Sequence, residues 1–168
     1  MKHFRNVSSE KQIGLQNQFS AIDDLFDDFD KYGYQRASIS VYDHWLTREE
    51  AEEELDKVPN IKQQAHNIRL HKFCCTLTDE ISAYLVKFKG RYKSKVVFKE
   101  FLSTPGREKS LIPLEYNYGD KWRFVLVFPS LDLLYFEGSD FTHTFYYKDL
   151  EQIKPIAEIA KRHGVHVL

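Results

Sequence analysis

His66, His71, Cys74 and Cys75 fall in one short stretch. Neutral imidazole and thiolate are the donors that zinc prefers. Structural zinc sites, however, space their cysteines a few residues apart. Cys74 and Cys75 are adjacent, and neighbours of that kind rarely both reach one ion. We read them as reduced thiols, a buried thiol on a strand with two surface histidines. No metal or cofactor is implied.

Asp132, Glu137 and Asp140 form a second group that could do chemistry. Paired carboxylates can hold the divalent ions that nucleases and phosphatases use. Many metal-dependent nucleases follow the carboxylate with Glu-x-Lys, but Glu137-Gly138-Ser139 lacks the lysine. Acidic residues also favour turns in their own right. His143-Thr144-Phe145 and His44-Trp45-Leu46 miss the paired spacing of a two-histidine phosphoesterase. The chain contains neither a nucleophile elbow nor a phosphate-cradling glycine loop.

Two charged segments carry the stronger signals. Lys87, Lys89, Arg91, Lys93 and Lys95 alternate with other residues around Phe88 and Tyr92. On a strand pair this spacing puts cations on one face and aromatics on the other, which suits phosphate contact beside base stacking. The same lysines would also protect an exposed strand edge. The opposite charge gathers earlier, in Asp23, Asp24, Asp27, Asp28 and Asp30 and then in Glu49, Glu50 and Glu53. An anionic surface of that kind can mask a basic protein partner, although most charge runs are simply solvated helix faces.

These segments dominate an otherwise balanced chain of net charge −1. Residues 21–57 hold four Lys or Arg against twelve Asp or Glu, and residues 58–99 hold nine against two. The 168 residues suit one domain. A composition 42% hydrophobic and 29% charged suits a globular protein. Reduced cysteines fit the cytoplasm. The first residues lack the apolar core of a signal peptide, and no apolar run approaches the roughly 20 residues of a membrane helix.

The elements that must position these residues follow from periodicity and punctuation. Leu15, Phe19, Ile22, Phe26 and Phe29 share one face of a helix expected over residues 10–31. Ala37, Ile39 and Val41 alternate with polar residues as a half-buried strand would. Thr47 followed by Glu50 is a capping box, and Pro59 stops the helix it opens. Asn60 caps a further helix, with Ile61, Ala65 and Ile68 as its apolar face. Phe73, Cys75 and Leu77 alternate like a strand. Residues 79–98 fit either a helix followed by a strand or two strands turning at Gly90-Arg91.

Residues 103–110, with Pro105-Gly106, read as a loop. It marks a possible sub-boundary between a helix-rich part (1–102) and a strand-rich part (111–168) of one domain. Beyond it, Leu114, Tyr116 and Tyr118 alternate toward a hairpin turn at Gly119-Asp120. Strands at residues 122–128, 133–137 and 141–147 continue a meander. Asp149 caps a closing helix that must start late or bend at Pro155. Gly164 ends that helix, before a short last strand.

The expected fold is α+β, an antiparallel meander sheet with helices packed on one face. The expected function is a non-enzymatic cytosolic binding protein, of inhibitor or immunity type, acting on a macromolecular partner through its charged surface. Nucleic-acid binding through residues 87–99 is the alternative, and a metal-dependent nuclease the third.

Overall fold

A computed structural model describes residues 3–24, 29–89, 95–113 and 124–168. Its centre is two strands with no exposed face. All four residues of β5 (Val125–Phe128) and all four of β6 (Leu133–Phe136) are buried. Such strands need cover on both sides. They lie in the middle of an eight-stranded sheet in which every pairing is antiparallel.

The remaining strands are β1 (Phe4–Asn6), β2 (Gln35–Ser40), β3 (Tyr84–Lys89), β4 (Lys95–Phe101), β7 (Thr142–Tyr147) and β8 (His166–Val167). Their order across the sheet is β1-β4-β3-β5-β6-β7-β2-β8. The expected meander is present as β5-β6-β7. β3 pairs with β5, so one sheet carries strands from both sides of the 103–110 segment. The α+β class is therefore as expected.

The helices divide between the faces. α3 (Asn60–Glu80), α4 (Thr104–Ser110) and α5 (Lys154–Arg162) lie on one face. There Leu70, Phe73, Cys74 and Leu77 meet Leu85, Leu126, Tyr135 and Phe145. To that expected layer the structure adds α1 (Ser9–Gln18) on the other face. Leu15, Phe19 and Ile22 pack there on Val86, Val96, Phe98, Val127 and Leu134. No helix among the described residues is long and apolar enough to cross a membrane.

Several local expectations need correction. The stretch expected to be a strand at Phe73, Cys75 and Leu77 is the C-terminal half of α3, a helix about 31 Å long. Leu70, Phe73, Cys74 and Leu77 are spaced three, one and three apart, and that helical spacing overrides the alternation. α3 begins at Asn60, but the face expected to be apolar is the outer one: Ile61 is 79% and Ile68 54% exposed. Residues 84–89 form a strand, which settles the helix-or-strand ambiguity.

The expected loop at 103–110 is α4. Ser103 caps it by accepting from Gly106 N, and Pro105 sits in its first turn, where a missing N–H costs nothing. Its Arg107 donates to Thr78 O at 3.1 Å and bonds Asp79, so a cation closes the C-terminus of α3. The helix expected over 10–31 stops at Gln18 and passes into a 3-10 turn, Ser20–Asp24. Asp-rich backbone competes poorly for helix, because short polar side chains bond nearby backbone groups. The Thr47–Glu50 capping box is present, and its helix α2 (Arg48–Ala51) widens into a π turn, Glu52–Asp56. α5 starts late, with Pro155 in its first turn. The Gly119-Asp120 turn, its flanking residues 114–123 and the Gly90-Arg91 turn lie outside the described residues.

α1 is also tied to the sheet by one side chain. Gln12 Nε2 donates to Val96 O at 3.1 Å, and Gln12 Oε1 accepts from Phe98 N at 2.9 Å. The amide thus continues the ladder on β4 beyond β1. Gln12→Ala leaves Phe98 N without its partner. We expect a loss of about 1–3 kcal/mol, read as a lower urea midpoint with an unchanged slope.

Candidate functional site

The basic segment folds into the end of the β3–β4 hairpin. Lys87 and Lys89 on β3, and Lys95 and Lys99 on β4, alternate with apolar residues and so share one face. Lys89 and Lys95 are directly opposite each other. Lys87 and Lys99 reach over the Phe4 ring, at 5.8 and 5.0 Å from its centroid, and Lys99 donates to Asn6 Oδ1. Phe88 points to the opposite face and packs against the α1 core, so it is not beside the lysines. Arg91, Tyr92 and Lys93 lie outside the described residues. Phe4 is a contribution that the linear segment did not reveal; pairing of β4 with β1 brings it in.

The acidic segments flank β2. Asp30 is exposed in the 3-10 turn Phe29–Tyr32, which precedes it. Asp23 and Asp24 end the first 3-10 turn, and their side chains are outside the described set. So are Asp27 and Asp28 entirely. Glu49, Glu50 and Glu53 follow β2, in α2 and the π turn.

Three of the six carboxylates over residues 49–56 are already engaged. Glu52 pairs with Lys57 at 2.7 Å and Glu54 with Lys62. Glu50 accepts from Thr47 N at 2.8 Å and lies 3.2 Å from His44 Nε2. Asp43 holds the other nitrogen of His44 at 2.6 Å. Hydrogen bonds donated to Asp43 and then Glu50 raise the His44 pKa, and bonds accepted from Thr47 and His44 lower that of Glu50. Glu49 and Glu53 remain exposed and make no ion pair among the described residues. Four residues apart, they share one side of the helical segment. Trp45, 62% exposed, stands just before it. No charge pattern pointed to Trp45; exposure picks it out.

The candidate metal groups do not converge. Among the described residues, no cluster of three His, Cys, Asp or Glu could hold an ion. Asp132 lies before β6, paired with Lys148 at 2.9 Å. Glu137 and Asp140 lie after β6, about 13 Å along the strand. Glu137 is fully buried and Asp140 is exposed. His66, expected at the surface, is instead buried between the Tyr42 and Phe141 rings, at 5.6 and 5.0 Å, and His71 bonds Glu108 O.

Cys74 and His143 meet through a residue that sequence reading had not singled out. The Tyr135 hydroxyl lies 3.0 Å from Cys74 Sγ and hydrogen-bonds His143 Nδ1. All three are fully buried. Burial pushes the Cys74 thiol and Tyr135 hydroxyl far up and holds His143 down to about 3. The chain is neutral at physiological pH. A neutral, buried thiol is a poor nucleophile.

The buried histidine gives the fold an acid liability. Its folded pKa lies below the unfolded value of 6.5, so the unfolded state binds the proton more readily. The stability from neutral His143 is present above pH 6.5 and is lost as pH falls toward 3. At pH 5 the loss is about 2 kcal/mol. Urea midpoints measured from pH 7 to pH 5 should fall more steeply for the wild type than for His143→Asn, which cannot take up that proton.

Against protein-family models, characterised proteins and solved structures alike, this chain finds no match.

Proposed function

We propose that this protein acts by binding rather than by turnover, engaging a basic protein partner through the acidic surface that follows β2. The reading extends to a cytoplasmic inhibitor or immunity-type role. The observation that carries it is the pairing of Glu49 and Glu53, exposed and without opposing cations among the described residues, with the exposed indole of Trp45. Tryptophan is enriched among residues that dominate interface energy, and uncompensated charge around such an anchor steers a partner of opposite sign.

The test is affinity capture from nuclease-treated lysate of the host cell, with wild type and Glu49→Lys/Glu53→Lys in parallel. A stoichiometric partner should bind the wild type at low salt, elute as salt rises, and be lost or weakened about tenfold or more by the double reversal. Equal capture by both proteins, or none by either, removes this reading.

One observation favours nucleic acid as the second reading. Lys89 and Lys95 are a directly opposed like-charge pair, and neither makes an ion pair among the described residues. Like charges across a strand pair are destabilising, and a phosphate backbone would relieve that repulsion. A mobility-shift assay at low salt should then show binding that Lys89→Glu/Lys95→Glu weakens, with a shallower salt dependence. No shift with single- or double-stranded DNA or RNA rejects it.

A further inference from the structure

Beside the acidic surface lies a cleft of about 440 Å³, within the range of small-ligand sites. Its floor is the outer end of the sheet. Arg36, Ser38 and Ser40 of β2 alternate onto one face, opposite Tyr146, Thr144 and Thr142 of β7. Arg36 and Ser40 are thus about 13 Å apart along the strand. The loop after β2 forms the wall with Tyr42 and Trp45, and the β6–β7 turn brings Asp140 to the far end.

Three zones follow along this floor. At one end is Arg36, which makes no ion pair among the described residues. A guanidinium is a fork for carboxylate or phosphate oxygens. In the middle are hydroxyls. Ser40 Oγ and Thr142 Oγ1 bond each other at 2.9 Å, and Ser40 Oγ also accepts from Tyr42 N at 3.2 Å. The Ser38 and Thr144 hydroxyls have no hydrogen-bond partner among the described residues, although Ser38 is only 4% exposed. They are donors and acceptors left for something in the cleft. At the other end are aromatic rings and a carboxylate. Tyr42 is anchored through its hydroxyl to Glu54 O at 3.1 Å. Among the described residues the Asp140 carboxylate accepts only a long bond from Ser139, 3.3 Å. The charge of His44 is met by Asp43 and Glu50, so the cationic end is Arg36.

The backbone at the far end is held in an unusual shape. Asp140 and Phe141 are consecutive non-glycine residues with φ of 56° and 55°. A Cβ on Gly138 would meet Thr142 O at 2.2 Å, so the turn closes tightly against β7. The turn thereby holds Asp140 at the rim.

We infer that this cleft is a ligand site for a nucleoside monophosphate, with Arg36 on the phosphate, Ser38 and Thr144 on the sugar hydroxyls, and Trp45 stacked on a base whose exocyclic amine bonds Asp140. The order of cation, hydroxyls, aromatic and carboxylate along the floor matches phosphate, sugar, base and amine. Trp45 serves both this site and the protein-binding surface, so the test uses the purified chain alone, and its outcome is separable from that of partner capture.

The experiment is isothermal titration of the full chain with AMP, and with adenosine, ribose 5-phosphate and inorganic phosphate as comparators. AMP should bind saturably at one site and more tightly than any comparator. Arg36→Gln and Trp45→Ala should each weaken AMP by about tenfold or more. Both side chains are exposed, and far-ultraviolet circular dichroism of each variant confirms folding. Arg36→Lys should restore part of the affinity, because the charge returns without the fork. Absence of saturable AMP binding at millimolar concentration overturns the proposal. So does AMP binding that folded Arg36→Gln and Trp45→Ala leave unchanged, and so does inorganic phosphate binding as tightly as AMP.

Discussion

Two strands with no exposed face set the terms for this protein. β5 and β6 are buried at every position, with Leu126 and Tyr135 turned to one face and Val127 and Leu134 to the other. Leaving either side in water would forfeit the free energy that apolar burial provides, about 25 cal/mol for each Å². Cover on one side comes from α3 and α5, and on the other from α1. Polar side chains collect toward the two ends of the sheet. One end holds the lysines of β3 and β4. The other holds the serines, threonines and Arg36 of β2 and β7.

The polar groups inside the core follow a different rule from those at its ends. Tyr135, Cys74 and His143 satisfy one another in the layer between α3 and the sheet. A neutral chain of this kind tolerates burial because its members carry no charge there. His143 Nε2 is the exception, buried with no hydrogen-bond partner among the described residues. The cost falls on stability in acid. Charge is kept instead on the 48–56 segment and the hairpin, where solvent or a partner can meet it.

Much of the fold was legible in local pattern. The meander, the Thr47 capping box, the late start of α5 at Pro155 and the helical end at Gly164 each follow from a residue whose backbone or side-chain chemistry permits little else. The errors arose where two patterns overlapped. Phe73, Cys75 and Leu77 alternate, yet Leu70, Phe73, Cys74 and Leu77 also share a helical face, and only packing against Leu126 and Tyr135 selects between them. Ser103-Thr104-Pro105-Gly106 contains loop residues that are equally the residues of a helix start. α4 forms because Arg107 can close the end of α3.

What the amino-acid sequence determined by itself was chain type, charge segregation and the identity of most strands and caps, because these depend on composition or on neighbours within one turn. Tertiary structure decided which charges share a surface. Lys99 and Phe4 join Lys87 only through strand pairing. Asp132 is separated from Glu137 and Asp140 by the length of β6. Arg36, Ser38, Thr144, Trp45 and Asp140 come from three separate stretches, and the pairing of β2 with β7 brings them around one cleft. Side chains that meet across a sheet share no sequence period, since their register is set by burial of the opposite face.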